Sequence, residues 1–228
     1  MLIRYWMSQP VITIKKTDSM QQAISMMKEK HIRMLPVTDK GNLCGVITDR
    51  DLKRSSASDA TSLDVYELLY LISKIKVEDI MTRDVVTVHQ DLTMEEAADI
   101  LLEHKISGAP VLDDTGKLCG VITQTDIFKA TIYLTGLKKK GIHIAFLLPD
   151  VPGSIMDIVN VVRKFDGRMV SILTTYERAP EGFRNVYLRF TNVSRDRLHD
   201  MMEILRSKAT LLYMVDHREN QRIIFRNR

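Results

Sequence analysis

Cysteine is scarce in this sequence, with two residues among 228, which is too few for a disulfide scaffold and is typical of a reducing compartment. Ten glycines and six prolines exclude a fibrous or low-complexity chain. No apolar run reaches the roughly 20 residues that a membrane helix needs, and the N-terminus lacks the apolar core and cleavage site of a signal peptide. We therefore expect a globular protein of the cytoplasm without membrane contact.

Catalytic motifs are also missing. The sequence has no Gly-x-Ser-x-Gly elbow, no phosphate-binding Walker loop and no long glycine fingerprint. The six histidines show no metal-ligand spacing with Cys, Asp or Glu. Cys44 and Cys119 occupy equivalent strand positions and are interpreted as small buried apolar residues rather than a redox pair. The prediction is a protein that is not an enzyme, with no metal and no catalytic cofactor.

Charge is distributed unevenly along the chain. Residues 1–136 contain 16 Lys and Arg against 19 Asp and Glu, whereas residues 137–228 contain 17 against 10. A basic C-terminal part can attract nucleic acid or an acidic partner. The alternative is a solvated basic face, which we favour because the basic residues are dispersed and few aromatic residues lie between them.

Much of the chain consists of two similar copies of one sequence. Residues 7–53 align with residues 81–128, and the block Leu43–Thr48 is identical to Leu118–Thr123. Each block is followed by an aspartate three residues later, namely Asp51 and Asp126. Six consecutive identities with a shared downstream carboxylate predict two copies of one structural unit.

Each copy predicts the same order of elements, β-α-β-β-α. In the first copy, a β-rich run at residues 11–14 precedes a helix with Ser19 at its N-cap. A strand through residues 34–37, a turn, the identical block as a second strand and a helix from about Thr48 follow. The second copy repeats this order with Thr93 as the N-cap. One unit is too small to bury a good core, so two copies are expected to pack together.

A linker separates the two copies. Residues 55–62 are polar and predict a loop, after which apolar side chains recur at helical spacing. These side chains are Leu63, Tyr66, Leu69, Leu71, Ile72 and Ile75. The predicted divisions are a first domain over residues 1–60, a linker helix over 61–76 and a second domain over 77–136.

The strongest functional signal is the motif Gly-Val-Ile-Thr-x-x-Asp, which occurs in both copies. The threonine leaves a strand and the aspartate lies in the first turn of a helix, where its two oxygens suit the paired hydroxyls of a ribose. The threonine hydroxyl and the helix N-terminus suit the same sugar or its phosphate. The alternative is structural, since Thr-x-x-Asp also resembles a helix capping box.

The C-terminal third predicts the order β-α-β-β-α-β, the ferredoxin-like split motif. Strands are expected over residues 142–148, 169–176, 185–191 and 209–215. One helix is expected to begin at the turn 150–154, and a second helix to be capped by Ser194. A domain boundary near residues 137–141 and a last domain over 141–228 follow.

The two copies resemble a tandem pair of CBS domains, a Bateman module. The resemblance covers about residues 1–135 and rests on both Gly-Val-Ile-Thr-x-x-Asp ends together with Met7, Met81, Pro36-Val37 and Pro110-Val111. It implies a regulatory module that binds adenosine-containing ligands such as AMP, ADP, ATP, S-adenosylmethionine or NAD. Mg²⁺ would enter only together with ATP.

The resemblance also implies which residues bind. In the family each cleft draws on both copies, so the ribose aspartate of one copy faces the strand-entry residues of the other. The first cleft is expected to contain Thr48, Arg50, Asp51, Ile106, Ser107 and Gly108. The second cleft is expected to contain Thr123, Asp126, Ile32, Arg33 and Met34. Because Arg50, Lys53 and Arg54 surround the first aspartate, the two clefts are expected to differ in phosphate preference.

The C-terminal part resembles an ACT domain in its order of elements and in one glycine-containing turn. The resemblance implies an amino-acid ligand at that turn, or a dimerisation surface. The turn residues are Asp150, Pro152, Gly153 and Ser154. The alternative for the turn is a helix that merely starts at a proline.

A CBS pair followed by an ACT domain is similar to the acetoin-utilisation AcuB family. The expected protein is of mixed α/β (α+β) class and acts as a non-enzymatic sensor of adenosine nucleotides. It is expected to form a homodimer and to control an unidentified protein, with the ACT domain sensing an amino acid or mediating dimerisation. Two alternatives stay open: an accessory scaffold in which the CBS pair is structural, and a basic regulator that binds nucleic acid.

Overall fold

The computed structural model describes residues 1–55, 70 and 72–225, which form two compact units, Met1–Phe128 and Lys129–Arg228. Most of the predicted linker, including Leu63, Tyr66, Leu69 and Leu71, lies outside the described residues. Among the helices that are described, none has the length and apolar character required to span a membrane.

The first copy contains a three-stranded sheet and two helices. Its elements in chain order are β1 (Ile14–Lys15), α1 (Met20–Lys30), β2 (Met34–Asp39), β3 (Asn42–Thr48) and α2 (Asp49–Ser55). Strand β2 is central, parallel to β1 and antiparallel to β3. The β-α-β-β-α order predicted from the sequence is therefore present.

The second copy repeats this arrangement. Its elements are α3 (Val77–Ile80), β4 (Val88–His89), α4 (Met94–Glu103), β5 (Gly108–Leu112), β6 (Leu118–Thr123) and α5 (Gln124–Leu134). Strand β5 is again central, between the parallel β4 and the antiparallel β6. A short 3₁₀ helix, Ile3–Tyr5, occupies the position before the first copy that α3 occupies before the second.

The first strand of each copy is shorter than the sequence predicts. Only Ile14–Lys15 and Val88–His89 pair with the central strands, and the residues before them are not part of either sheet. The preceding segments instead form single β-bridges to the other copy, Ser8 with Val121 and Thr82 with Val46. Backbone pairing between the copies thus takes the place of the predicted longer strands.

Helices α1 and α4 begin at the predicted N-caps, and each has a complete capping box. The Ser19 hydroxyl accepts from the Gln22 amide and the Gln22 side chain accepts from the Ser19 amide, at 3.2 and 2.7 Å. Thr93 and Glu96 make the same pair of bonds at 3.2 and 2.7 Å. Each box satisfies two amide groups that the helix itself leaves without partners.

A crossed methionine contact explains the glycine inside each identical block. Met7 of the first copy packs on Gly120 of the second, and Met81 of the second copy packs on Gly45 of the first. A Cβ atom at either glycine would overlap the methionine sulfur. The two glycines therefore allow the segment that leads into each copy to lie against the other copy.

The second unit contains one five-stranded antiparallel sheet and two helices. Its elements are β7 (Ile142–Pro149), α6 (Ser154–Lys164), β8 (Arg168–Thr175), β9 (Phe183–Thr191), α7 (Leu198–Lys208), β10 (Thr210–Asp216) and β11 (Gln221–Ile224). The strand order is β11-β10-β7-β9-β8. Its core combines Phe146 and Phe190 from the sheet with Val162 and Leu205 from the helices, all fully buried.

Two features of this unit differ from the sequence predictions. The prediction that Ser194 caps the second helix was wrong: α7 begins at Leu198, and Arg197 is its N-cap residue. Arg197 forms an ion pair with Asp166 and stacks on the Phe165 ring, so a turn precedes the helix. Strand β11 was not predicted, since its four residues Gln221–Ile224 lie at the end of a polar stretch.

Arg189 is a buried cation within this unit. Its Nε donates to the Thr135 carbonyl at 2.7 Å, and its Nη1 donates to the Lys140 carbonyl at 3.3 Å. Burial lowers the pKa of Arg189 from its ordinary value. Thr135 directly follows α5, so the guanidinium satisfies a carbonyl group at the end of that helix.

Candidate functional site

The aspartate of the first repeated motif is buried and hydrogen-bonded at both carboxylate oxygens. Its Oδ2 accepts from the Thr48 amide at 2.9 Å and from the Thr48 hydroxyl at 2.7 Å. The Asp51 amide donates back to the Thr48 hydroxyl at 3.3 Å. Its Oδ1 accepts from Arg54 Nη2 at 2.9 Å. Asp51 Oδ2 and Thr48 therefore form the helix capping box, which was the structural alternative predicted from the sequence.

The second motif has the same local geometry. Asp126 is buried, and its Oδ2 accepts from the Thr123 amide at 3.0 Å and from the Thr123 hydroxyl at 2.6 Å. The Asp126 amide is 3.4 Å from the Thr123 hydroxyl. The Thr-x-x-Asp motif therefore folds the same way in both copies, although its two middle residues differ.

A cavity of about 300 Å³ lies beside Asp51, at the lower end of the range for small-molecule pockets. Both copies line it. The predicted residues that line it are Thr48, Arg50, Asp51, Ile106, Ser107 and Gly108. The structure thus brings the first predicted set together, and Met34, predicted for the other cleft, lines this cavity as well.

The cavity wall has chemically distinct parts. Three cationic side chains, Arg50, Arg54 and Lys105, line it together with the carboxylates of Asp49, Asp51 and Asp84. Apolar side chains complete the wall, namely Met34, Val46, Val85, Val86, Ile106 and Pro110. A buried carboxylate, several cations and an apolar wall can receive a ligand that has hydroxyl groups, an anionic group and a flat apolar part.

Sequence reasoning missed eight residues of this cavity, namely Val46, Asp49, Pro110 and five others. Thr82, Asp84, Val85 and Val86 belong to the segment that leads into the second copy, and Lys105 precedes the predicted Ile106. The sequence contains one indication of this segment, because Met81 marks the start of the second copy. The crossed backbone pairing that brings this segment to Thr48 is visible only in three dimensions.

In the second predicted set, the Thr123 side chain and the Met34 methyl group both lie close to Gly108. Ile32 packs against the core of the first copy, and the Arg33 carbonyl accepts from the Asp49 amide at 3.0 Å. Thr123 and Asp126 bond to each other as described. The Gln124 side chain, beside Thr123, donates to the Ile106 carbonyl at 3.3 Å.

The predicted turn of the second unit lies between β7 and α6. Asp150 forms an ion pair with Arg184, and its amide donates to the Gly182 carbonyl at 2.8 Å. Gly153 has φ of 90°, which favours glycine, and the Ser154 hydroxyl is buried without a hydrogen-bond partner among the described residues. Pro152 lies in the turn before α6.

The two cysteines lie at equivalent positions in β3 and β6. Cys44 and Cys119 are half-buried free thiols whose Sγ atoms lie 3.5 and 3.4 Å from the carbonyls of Val37 and Val111. Burial raises the pKa of both thiols, so the thiol form is favoured at neutral pH.

The expectation that no histidine lies near metal-type ligands needs correction. His89, Asp91 and Asp114 place ligand atoms within 4.8 Å of one another, although all three residues are exposed. Asp114 is remote from His89 in sequence, and the turn between β5 and β6 brings it back to the end of β4. Asp91 forms an ion pair with Arg4, and His89 Nε2 lies 3.2 Å from Asp114 Oδ1, so these contacts account for the cluster.

Residues 1–128 thus define a class of protein built on two related α/β repeats that share one cavity. The profile of the CBS domain family matches residues 3–58 and 77–133. A CBS domain-containing protein of Dictyostelium discoideum is 33% identical over 132 residues, which span 58% of this chain and 91% of that protein. The chain belongs to the CBS domain family, and its two copies form a tandem CBS pair.

Further relatives align with about 60% of this chain. The inosine-5′-monophosphate dehydrogenase of Methanocaldococcus jannaschii is 35% identical over 133 residues, 58% of this chain. The aligned region spans only 24% of that enzyme, and 28% of its relative from Nitrosopumilus maritimus. The solved structure of Arabidopsis thaliana CBSX2 in complex with AMP is 34% identical, covering 57% of this chain and 96% of that one, with a TM-score of 0.47.

Proposed function

We propose that the protein is a non-enzymatic regulator that binds an adenosine nucleotide of the AMP, ADP or ATP class in the cavity beside Asp51. The observation that carries this proposal is the joint lining of one cavity by the buried Asp51 carboxylate, three cations and an apolar wall to which both copies contribute. Membership of the CBS family agrees with it, as such pairs typically bind adenosine ligands.

Each part of a nucleotide has a matching group in this cavity. The Asp51 carboxylate accepts from ribose hydroxyls, and Arg50, Arg54 and Lys105 supply donors for phosphate. Val85, Val86 and Ile106 offer apolar surface to the adenine ring. We propose the second set, Thr123 and Asp126 with Ile32, Arg33 and Met34, as a second site that differs from the first in phosphate preference.

The test uses protein from which carried-over nucleotide has been removed. Thermal shift and calorimetry measure the binding of AMP, ADP, ATP, S-adenosylmethionine and NAD. Asp51→Ala should weaken nucleotide binding by at least about tenfold, because a charged hydrogen-bond partner of the ribose is lost. Asp126→Ala is the matched control, since it removes the same capping bonds in the other copy.

Two results would contradict the proposal. One is that none of the five compounds binds the wild-type chain. The other is that Asp51→Ala and Asp126→Ala bind nucleotide as tightly as the wild type, which would leave Thr-x-x-Asp with its capping role alone. The scaffold function would then be favoured.

For the second unit we propose an ACT-like domain over about residues 141–228 that senses an amino acid or mediates dimerisation. Supporting observations are the order β-α-β-β-α-β, the sheet order β10-β7-β9-β8 and the left-handed Gly153 before α6. Homodimerisation, an AcuB-like role and control of another protein belong to the same proposal. Including the twenty amino acids in the thermal-shift panel tests the sensing role directly.

A further inference from the structure

The ion pair between Arg54 and Asp51 occupies the carboxylate that the proposed ribose requires. Both bonds to Asp51 Oδ2 come from Thr48 and hold the start of α2. Oδ1 is the oxygen that faces a different partner, and Arg54 Nη2 donates to it at 2.9 Å. A ribose hydroxyl that bonds Oδ1 must therefore displace or share the position of this guanidinium.

The two partners of this pair differ in their freedom to move. The Asp51 side chain is 9% exposed and held by Thr48, whereas the Arg54 side chain is 73% exposed. Because the guanidinium is exposed, water can replace Asp51 Oδ1 as its partner when Arg54 moves. Arg54 is accordingly the partner that moves.

The destination of Arg54 follows from the charges that line the same cavity. Arg50 and Lys105 line it too, and within the described part of the chain neither side chain forms an ion pair. A phosphate near them offers Arg54 two or three anionic oxygens in place of Asp51 Oδ1. A nucleoside without phosphate offers no such replacement, so it must break the pair without compensation.

We propose that Arg54 is a specificity-determining gate that makes the first cavity select phosphorylated nucleosides over free nucleosides; this inference rests on the proposed nucleotide function. Without ligand, Arg54 covers Asp51 Oδ1. When a nucleotide binds, the guanidinium moves to the phosphate and releases Oδ1 to the ribose. The cost of opening is recovered only by ligands that carry the phosphate.

The experiment compares the dissociation constants of AMP and adenosine in the full chain, with Asp126→Asn as the common background so that the second motif contributes less. Arg54→Gln removes the charge of the gate. Lys53→Gln is the matched control, because Lys53, although expected around the first aspartate, is not among the described residues that line the cavity and pairs with Asp49 rather than Asp51. Circular dichroism verifies that each variant is folded.

In Arg54→Gln we expect adenosine to bind about threefold to fivefold more tightly, as the exposed pair no longer competes. AMP should bind about tenfold more weakly, as one charged phosphate contact is lost. The preference for AMP over adenosine should therefore fall at least tenfold, and Lys53→Gln should keep the wild-type preference.

Three other outcomes would contradict the gate, and they can be told apart. If Asp51→Ala abolishes binding but Arg54→Gln changes both ligands by the same factor, the gate is wrong and the nucleotide site stands. If Lys53→Gln changes the preference as much as Arg54→Gln, a general charge effect replaces the gate. If the parent chain binds neither ligand, or Asp51→Ala has no effect, the nucleotide function and the gate both fail.

Discussion

At the scale of single residues, Asp51 shows how one side chain can cap a helix and also line a cavity. Its Oδ2 completes a capping box with Thr48, its Oδ1 accepts from Arg54, and the residue lines a cavity to which both copies contribute. The two interpretations of Thr-x-x-Asp were posed as alternatives from the sequence. They are compatible, because a carboxylate has two oxygens with separate acceptor positions.

Gly108 shows how closely the backbone is packed at the cavity. A Cβ atom at this position would lie 2.9 Å from the Ile122 carbonyl oxygen and 3.3 Å from the Met34 methyl group. The first of these neighbours is backbone in the adjacent strand β6, so it cannot easily move away. The site therefore needs a residue without a side chain here.

We predict that Gly108→Ala lowers the free energy of unfolding by about 1–3 kcal/mol, the usual cost of forcing an extra carbon into a packed position. Urea unfolding followed by circular dichroism measures it. Ser107→Ala is the neighbouring control, since this exposed residue lines the same cavity and loses rather than gains an atom. Equal stability of wild type and Gly108→Ala would show that β5 and β6 can separate freely.

At the scale of elements, the helix starts α1 and α4 have the clearest physical cause. Ser19 and Thr93 were identified from local sequence, and each forms reciprocal bonds with the residue three positions later. Such caps depend only on neighbouring residues, which explains why the sequence predicts them well. Ser194 lacked this support, because the residues after it form a turn held by Arg197 and Asp166.

We predict that Thr93→Ala destabilises the chain by about 1 kcal/mol, because the Glu96 amide loses its acceptor. Thr93→Ser retains the hydroxyl and should stay within a few tenths of 1 kcal/mol of the wild type. Thermal unfolding of the three proteins measures the difference. A loss of equal size in Thr93→Ser would attribute the effect to the threonine methyl group instead of the cap.

At the scale of the whole molecule, pH is expected to alter stability through His143. This residue lies on β7 opposite Arg189, and its ring approaches the Tyr213 ring edge-on at 5.6 Å between centroids. Burial, followed by the charges of Arg189 and His217, lowers the pKa of His143 to about 4. The folded chain therefore holds this imidazole neutral over a range in which the unfolded chain protonates it.

The sign of the pH effect follows from proton binding. Between about pH 6.5 and pH 4 the unfolded state binds more protons at this position, so the unfolding free energy falls as the pH falls. We predict that His143→Gln reduces the loss of urea stability between pH 7 and pH 5. His199→Gln, at an exposed position on α7, is the control and should keep the wild-type loss. An unchanged pH dependence in His143→Gln would refute this role.

The tandem CBS pair was predictable because its evidence is local and occurs twice. The identical blocks Leu43–Thr48 and Leu118–Thr123 form equivalent strands, and both are followed by helices, as expected. The order of elements in the second unit was also visible from hydrophobic periodicity. The four-residue strand β11 was missed, since a short polar edge strand has little sequence pattern of its own.

The repeated unit, the capped helices and the local geometry of the Thr-x-x-Asp motif could be predicted from the sequence, because these depend on contacts between residues close in the chain. The tertiary structure brings distant segments together: Met7 lies on Gly120, Met81 lies on Gly45, and Val85 lines the same cavity as Asp51. It also decided that Arg54 covers the Asp51 carboxylate. The physical reason is that a contact between distant residues depends on how the two sheets pack, and neither copy's local pattern specifies that packing.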